Sequence, residues 1–313
     1  MKKILCIGEA LIDMICTDKG KTLAEGQHFL KKPGGAPTNV AAAIASLGGR
    51  VELLARVGND PFGKLLIDTM KEFGVSTNSM KKDEEHFTTM AFVSLLENGE
   101  RDFVFSRGAD GYLEDNDLVH LDTSDFGIAH FGSATAFLAG PLQHTYRYCL
   151  QSSLVNKLYI SFDPNYRHLL YHDKIDSFVN QSWHFIGLSN FIKLSEEEAM
   201  LITGGTNAEE SAKILFEKSN AVFTITLGSM GSLLGFNKTI EVIPAAKAKV
   251  IDTTGAGDAF VGSILYQLSH HSPEEIKGLS HDQWKNIIIS ANKTGALACE
   301  HMGAMEAFRA FHT

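Results

Sequence analysis

DTTGAGDAFVG, residues 252–262, puts two threonines, three glycines and two carboxylates into eleven positions directly ahead of an apolar run with helical spacing. A glycine turn feeding a helix leaves the first backbone N–H groups of that helix unpaired. They point outward at the positive end of the helix dipole, where an anion is favoured. Gly255, Ala256 and Gly257 supply such a turn, and Phe260, Ile264, Leu265 and Leu268 form the buried stripe that anchors it. Asp258 has two readings. A carboxylate in a first helical turn complements the dipole, worth about 0.3–1 kcal/mol. Beside an anion hole it can also accept a proton from an attacking hydroxyl while the amides take up charge on a phosphoryl group in transit.

The turn is not a dinucleotide fingerprint, because Phe260 stands where the sixth-position glycine of G-x-G-x-x-G belongs. GNDPFGKL (58–65) imitates a phosphate-binding loop up to its lysine, then has Leu65 where a serine or threonine must meet the metal. PGGAPTNVAAAIASLG (33–48) offers a second glycine turn before a helix. Asn39 there serves either as part of a helix cap or as an amide for a ligand.

Outward from these turns the chain alternates. Near-continuous apolar runs at 4–11, 51–58, 126–133, 158–164, 191–195, 221–228 and 232–236 read as buried strands. Helical spacing lies between and beyond them: Val40, Ala43, Ile44 and Leu47, then 61–73, 141–155, 208–218, 256–268 and 283–299. That order predicts an α/β fold of three layers, a doubly wound and mostly parallel sheet covered on both faces. Residues 12–33 and 87–107 break the rhythm with period-two alternation, and Asn98-Gly99 between apolar arms is a hairpin signal. They are expected to join as a small β-sheet lid over a core formed by 1–11, 34–86 and 108–313.

Composition narrows the partners. A net charge of -9 with no long basic block argues against nucleic acid. No run approaches the length of a membrane span, and MKKILCIGEALID reads as a strand and not a leader, since Gly8 and Glu9 interrupt it. Cys6, Cys16, Cys149 and Cys299 are scattered without zinc spacing, as reduced cysteines of a cytoplasmic protein would be. His270 and His271 are adjacent and do not face one another on a helix. They suit its C-terminal end better than a metal. Glu196 and Glu197 read as a helix start.

Taken together, GGAPTNVAAAIASLG and DTTGAGDAFVG resemble the two signatures of the ribokinase-like (PfkB) carbohydrate kinases. GEALIDM (8–14), RVGNDPFG (56–63), FSRGAD (105–110), FDPNYR (162–167), KLSEEEA (193–199), TLGSMG (226–231) and MGA (302–304) fall in the family's order. The likeness spans essentially the whole chain, and GEALID, GGAPTN and FDPNYR look most like fructokinases.

The resemblance implies an ATP-dependent kinase of a small sugar, most like fructose. Asp258 would be the base, and Gly255, Ala256 and Gly257 the anion hole. Asp13, Gly34, Gly35 and Asn39 would hold sugar hydroxyls, with Arg107 and Arg167 reaching toward sugar or product. Thr226, Gly228, Gly231 and Asn292 would line the nucleotide. Glu198 would order the water shell of Mg²⁺, although Ser195 stands where ribokinases have asparagine. Asp252 and Thr254, with carbonyls near Gly303, match the positions of a K⁺ site. A lid of this kind also offers edge strands through which two copies can pair as a homodimer.

Overall fold

The computed structural model describes residues 1–97, 100–118, 121 and 123–312; the Asn98-Gly99 turn lies outside them. Its strands are β1 (Lys3–Ile7), β2 (Leu11–Cys16), β3 (Phe29–Gly34), β4 (Val51–Gly58), β5 (Met80–Asp83), β6 (Met90–Leu95), β7 (Arg101–Ser106), β8 (Phe126–Phe131), β9 (Tyr159–Phe162), β10 (Phe191–Ser195), β11 (Val222–Thr226), β12 (Ser232–Phe236) and β13 (Thr239–Ile243). The helices are α1 (Ala36–Ser46), α2 (Pro61–Glu72), α3 (Pro141–Val155), α4 (His168–Tyr171), α5 (Ile175–Leu188), α6 (Glu196–Thr203), α7 (Ala208–Lys218), α8 (Ala256–Leu268), α9 (Pro273–Lys277), α10 (His281–Ala298) and α11 (Ala304–Arg309).

Nine strands form one sheet in the order β13-β12-β11-β10-β9-β8-β1-β4-β5. Pairing is parallel from β5 through β11, and β12 and β13 close the far edge antiparallel. One core packs α1, α8 and α10 on the sheet through Val40, Ile44, Phe260, Ile264, Trp284 and Ile288. On the other face α3, α5 and α7 bury Leu142, Tyr146, Phe178, Phe185 and Leu215. Helices on both faces explain why the strands carry apolar residues at successive positions and do not alternate. The arrangement is the three-layer, doubly wound architecture read from the sequence.

The run expected as a single strand over 4–11 divides. β1 ends at Ile7, the chain turns at Gly8 (φ 143°), and β2 enters a different sheet. A side chain at position 8 would put its Cβ 2.4 Å from that of Ser133, so the turn needs glycine in both conformation and space. The small sheet has the order β3-β2-β6-β7, two antiparallel hairpins joined by the parallel pair β2–β6. α4, α5, α9, α11, β5 and β13 are additions to the sequence reading; the two strands are short and lie at the sheet edges, where alternation is weak.

The four chain crossings between the sheets meet in one buried polar network. Glu9, ahead of β2, accepts from Ala36 N at 2.9 Å, Ala134 N at 3.3 Å and the Ser133 hydroxyl. Asp110, beyond β7, accepts from Thr89, just before β6, and from Thr135 Oγ1 at 2.7 Å. Two buried acidic side chains thereby tie together the segments that connect the two sheets.

Candidate active site

The residues singled out in the two glycine turns converge at the carboxyl ends of the parallel strands, the place where open α/β sheets bind ligands. α8 begins at Gly255 in the left-handed region (φ 80°), and no side chain caps it. A Cβ on Gly255 would lie 2.4 Å from that of Ala304, so glycine is required twice over. α1 likewise begins at a glycine, Gly35 (φ 105°), and its first amide, Ala36 N, is taken by the Glu9 side chain. A Cβ there would meet Glu9 O at 2.5 Å.

Asp258 points between these two helix starts. Its side chain is buried, and Asn39 Nδ2 donates to Oδ2 at 2.8 Å. Burial raises its pKa to about 6, against the lowering effects of the Asn39 hydrogen bond and the Arg167 guanidinium. Asn39 Oδ1 is buried without a hydrogen-bond partner, an acceptor left open beside the carboxylate. Asp13 lies opposite on β2, so close to Gly34 that a Cβ there would fall 2.2 Å from its Oδ2. Burial lifts Asp13 to about 6 as well, and Arg167 again opposes the rise. One exposed guanidinium therefore stands near both carboxylates.

The surroundings hold charges that the sequence reading passed over. Asp163, wholly buried, pairs with Lys193 at 3.0 Å, and the ammonium of Lys193 lies beside Gly257. A lysine inside the apolar strand FIKLS was the available signal, because an ionised side chain is rarely buried unless paired.

A pfkB family carbohydrate kinase model matches residues 1–310. The chain belongs to the pfkB family of carbohydrate kinases. It is 32% identical over 311 residues to the fructokinase of Vibrio alginolyticus, covering 98% of this chain and 96% of that one. Fructokinase from Vibrio cholerae O395, solved with fructose, ADP and calcium ion, is similar in structure with a TM-score of 0.85 at 33% identity, covering 98% of this chain and 96% of that one. Fructokinase from Xylella fastidiosa with bound ATP gives 0.86 at 28% identity, covering 97% and 94%.

Among the positions expected to line the nucleotide, Thr226 ends β11 and Gly228 is exposed in the turn that follows. Gly231 (φ 107°) leaves that turn so close to the neighbouring strand that a Cβ would lie 2.1 Å from Ile243 O. Asn292 is not presented to this surface. Its amide donates to Ile243 O and Pro244 O, both at 3.1 Å, and its carbonyl accepts from Ser232. It clamps α10 to the exit of β13.

Arg107 is turned away from Asp13 and Asp258; its guanidinium donates to Ala139 O and Thr135 O and lies 3.8 Å from Asp110. Glu198 caps its own helix through Ser195 N and also accepts from Tyr166 N, so both oxygens are engaged once. Each keeps a lone pair free to accept a further contact. Among the described residues, no group of three or more His, Cys, Asp and Glu is arranged to hold a metal. Asp252 accepts from Thr254 N and Oγ1 and from Gly303 N at 2.8 Å, joining the three positions of the expected cation site. Lys32 from β3 donates to Met302 O beside it.

The imitation phosphate loop is closed by its own chain. Asp60 Oδ1 takes the amides of Phe62 and Gly63, and its other oxygen takes Thr88 N. No helix of the described residues is long and apolar enough to cross a membrane. His270 turns its ring to the carbonyls of Tyr266 and Gln267 at the end of α8, as expected of a C-terminal histidine.

Proposed function

We propose that this protein is an ATP-dependent fructose kinase that forms fructose 6-phosphate and ADP. The observation that carries the reading is the buried carboxylate of Asp258, held by Asn39 between the start of α1 and the start of α8, the latter without a side-chain cap. A base with a pKa near 6 is ionised at neutral pH yet basic enough to take a proton as the hydroxyl attacks.

In this scheme Asp258 accepts the proton of the sugar hydroxyl, whose oxygen forms a bond to the γ-phosphorus. The bond from that phosphorus to the bridging oxygen breaks, and ADP leaves with the electron pair. The amides of Gly255, Ala256 and Gly257 stabilise charge on the transferred oxygens. Asp13, Gly34, Gly35 and the open Oδ1 of Asn39 bind sugar hydroxyls, and Arg167 holds Asp13 and Asp258 ionised. Thr226, Gly228 and Gly231 offer backbone to the nucleotide, and Asn292 shapes that wall from behind. Arg107 acts at the base of the small sheet, which serves as a lid that excludes water from the phosphoryl group.

Mg²⁺ would enter with the phosphates, its waters reaching Glu198, and would neutralise phosphate charge. Asp252 and Thr254 would border K⁺ on the outer side of the anion turn. The free cysteines Cys6, Cys16, Cys149 and Cys299 suit a reducing cytoplasm. A second copy of the chain is the partner we assign to the edge strands β3 and β7, where Leu30 and Val104 are exposed; sedimentation velocity reads it.

ADP release measured over fructose, 2-keto-3-deoxygluconate, ribose and a nucleoside tests the assignment. Fructose should give the highest kcat/KM. Preference for another sugar would move the substrate, and binding without turnover would make the protein a sensor.

A further inference from the structure

Lys193 stands on β10 with 7% exposure, inside the parallel sheet. Its ammonium forms an ion pair with Asp163 at 3.0 Å, and a Cβ on Gly257 would come 3.5 Å from Nζ. Gly257 is in the first turn of α8, so a buried cation sits against the positive end of a helix dipole. That is the unfavourable sign for such a place. An ammonium has three N–H donors, and among the described residues the carboxylate in ion-pair contact with Lys193 is Asp163. The remaining donors lie beside the first turn of α8 at Gly257, a helix start without a side-chain cap. An anion seated there answers both.

Resting on the kinase reading above, we propose that Lys193 is a catalytic residue that donates to an oxygen of the γ-phosphoryl group as it passes from ATP to the sugar. Lys193 stays protonated throughout. The proton from the hydroxyl goes to Asp258, and the ammonium offsets charge that develops on the transferred oxygens. Asp163 is the positioning residue that aims it. The groups facing this ammonium are His130 on β8, Asp163 after β9, Glu198 on α6 and Asp258 on α8. Its pKa lies above the ordinary lysine value, with burial opposed by Asp163, Glu198 and Asp258. His130 is held neutral near 3 by burial and by Lys193. The cation is therefore fixed across the working range.

A plain counter-ion for three carboxylates would have a different signature. Its loss would raise the pKa of Asp258 and nothing more, so turnover would recover on the alkaline plateau. Lys193→Gln is therefore assayed at that plateau, together with Asp163→Asn/Lys193→Gln, which removes both charges and leaves no unpaired ion buried. Plateau kcat should fall about 10²–10³-fold in both, the range for removing a donor to a developing oxyanion. Fructose affinity by calorimetry should stay unchanged, and the gain in ADP affinity produced by aluminium fluoride should be lost. Plateau turnover of the double variant within about threefold of wild type would overturn the proposal. In crystals of the wild-type protein with fructose, ADP, Mg²⁺ and aluminium fluoride, Lys193 Nζ should lie about 3 Å from a fluoride; an ammonium on Asp163 alone would overturn it, whether or not the variants fold. A wild type that phosphorylates no sugar counts against the kinase reading instead.

Discussion

Asn39 Nδ2 donates to Asp258 Oδ2 across 2.8 Å and 219 residues of sequence, binding the start of α1 to the start of α8. The contact orients the carboxylate and favours its ionised form. It also leaves Asn39 Oδ1 as a buried acceptor in the same space.

Asp258→Asn should keep its fold, since it removes a buried charge and not volume. Its kcat should fall about 10²–10⁴-fold, the loss expected for a general base. Steady-state kinetics beside a thermal melt separates the two effects, and near-normal turnover in a folded variant would remove Asp258 from the mechanism.

The kcat/KM for fructose should decline as pH drops through about 6, where Asp258 and Asp13 take up protons and cease to act as base and acceptor. Asn39→Ala removes a bond to the ionised carboxylate, so the acid limb should move to higher pH while the KM for fructose rises. A limb left in place would mean that the amide does not tune the base.

Glu9 is wholly buried and raised to about 7, with burial outweighing its bonds to Ser133 and Ala36. A carboxyl raised above its unfolded value of 4.5 favours the folded state most below that value, and this contribution is lost as pH rises toward about 7. Glu9→Gln should therefore match wild type in stability near pH 4.5 and exceed it near pH 8, by roughly 1–3 kcal/mol from the size of the shift. Denaturant melts at the two pH values measure the difference; an equal gap at both would refute it.

Gly255→Ala and Gly257→Ala should part company. At Gly255 the positive φ and the 2.4 Å approach to the Ala304 Cβ make alanine destabilising. At Gly257 a methyl finds ordinary space 3.5 Å from Lys193 Nζ, so the fold should survive while turnover drops. Melting temperature paired with kcat distinguishes the outcomes.

Asn292→Ala leaves Ile243 O and Pro244 O without their donor and should cost about 1–3 kcal/mol. The KM for ATP should rise through the displaced chain after β13. An unchanged melting temperature with a raised KM would point instead to direct contact with the nucleotide.

Much of this was legible in the residues. Continuous apolar strands between helical periods specify a parallel sheet with two covered faces, and glycine turns before anchored helices specify where α1 and α8 begin. Both follow from the local chain. Arg107 and Asn292 were harder, because a polar side chain marked as functional by its type can be engaged by a neighbour far away in sequence. Arg107 is bound by the carbonyls of Thr135 and Ala139, and Asn292 by those of Ile243 and Pro244.

By itself the sequence determined the sheet, the two helix starts and the carboxylate at position 258, since period, glycine placement and dipole act over a few residues. Only the tertiary structure decided that Asn39 meets Asp258, that Gly8 passes the chain into a second sheet, and that Lys193 lies beside Gly257. Those outcomes depend on which strand ends become neighbours and on how much water is excluded between them, and packing of the whole chain sets both.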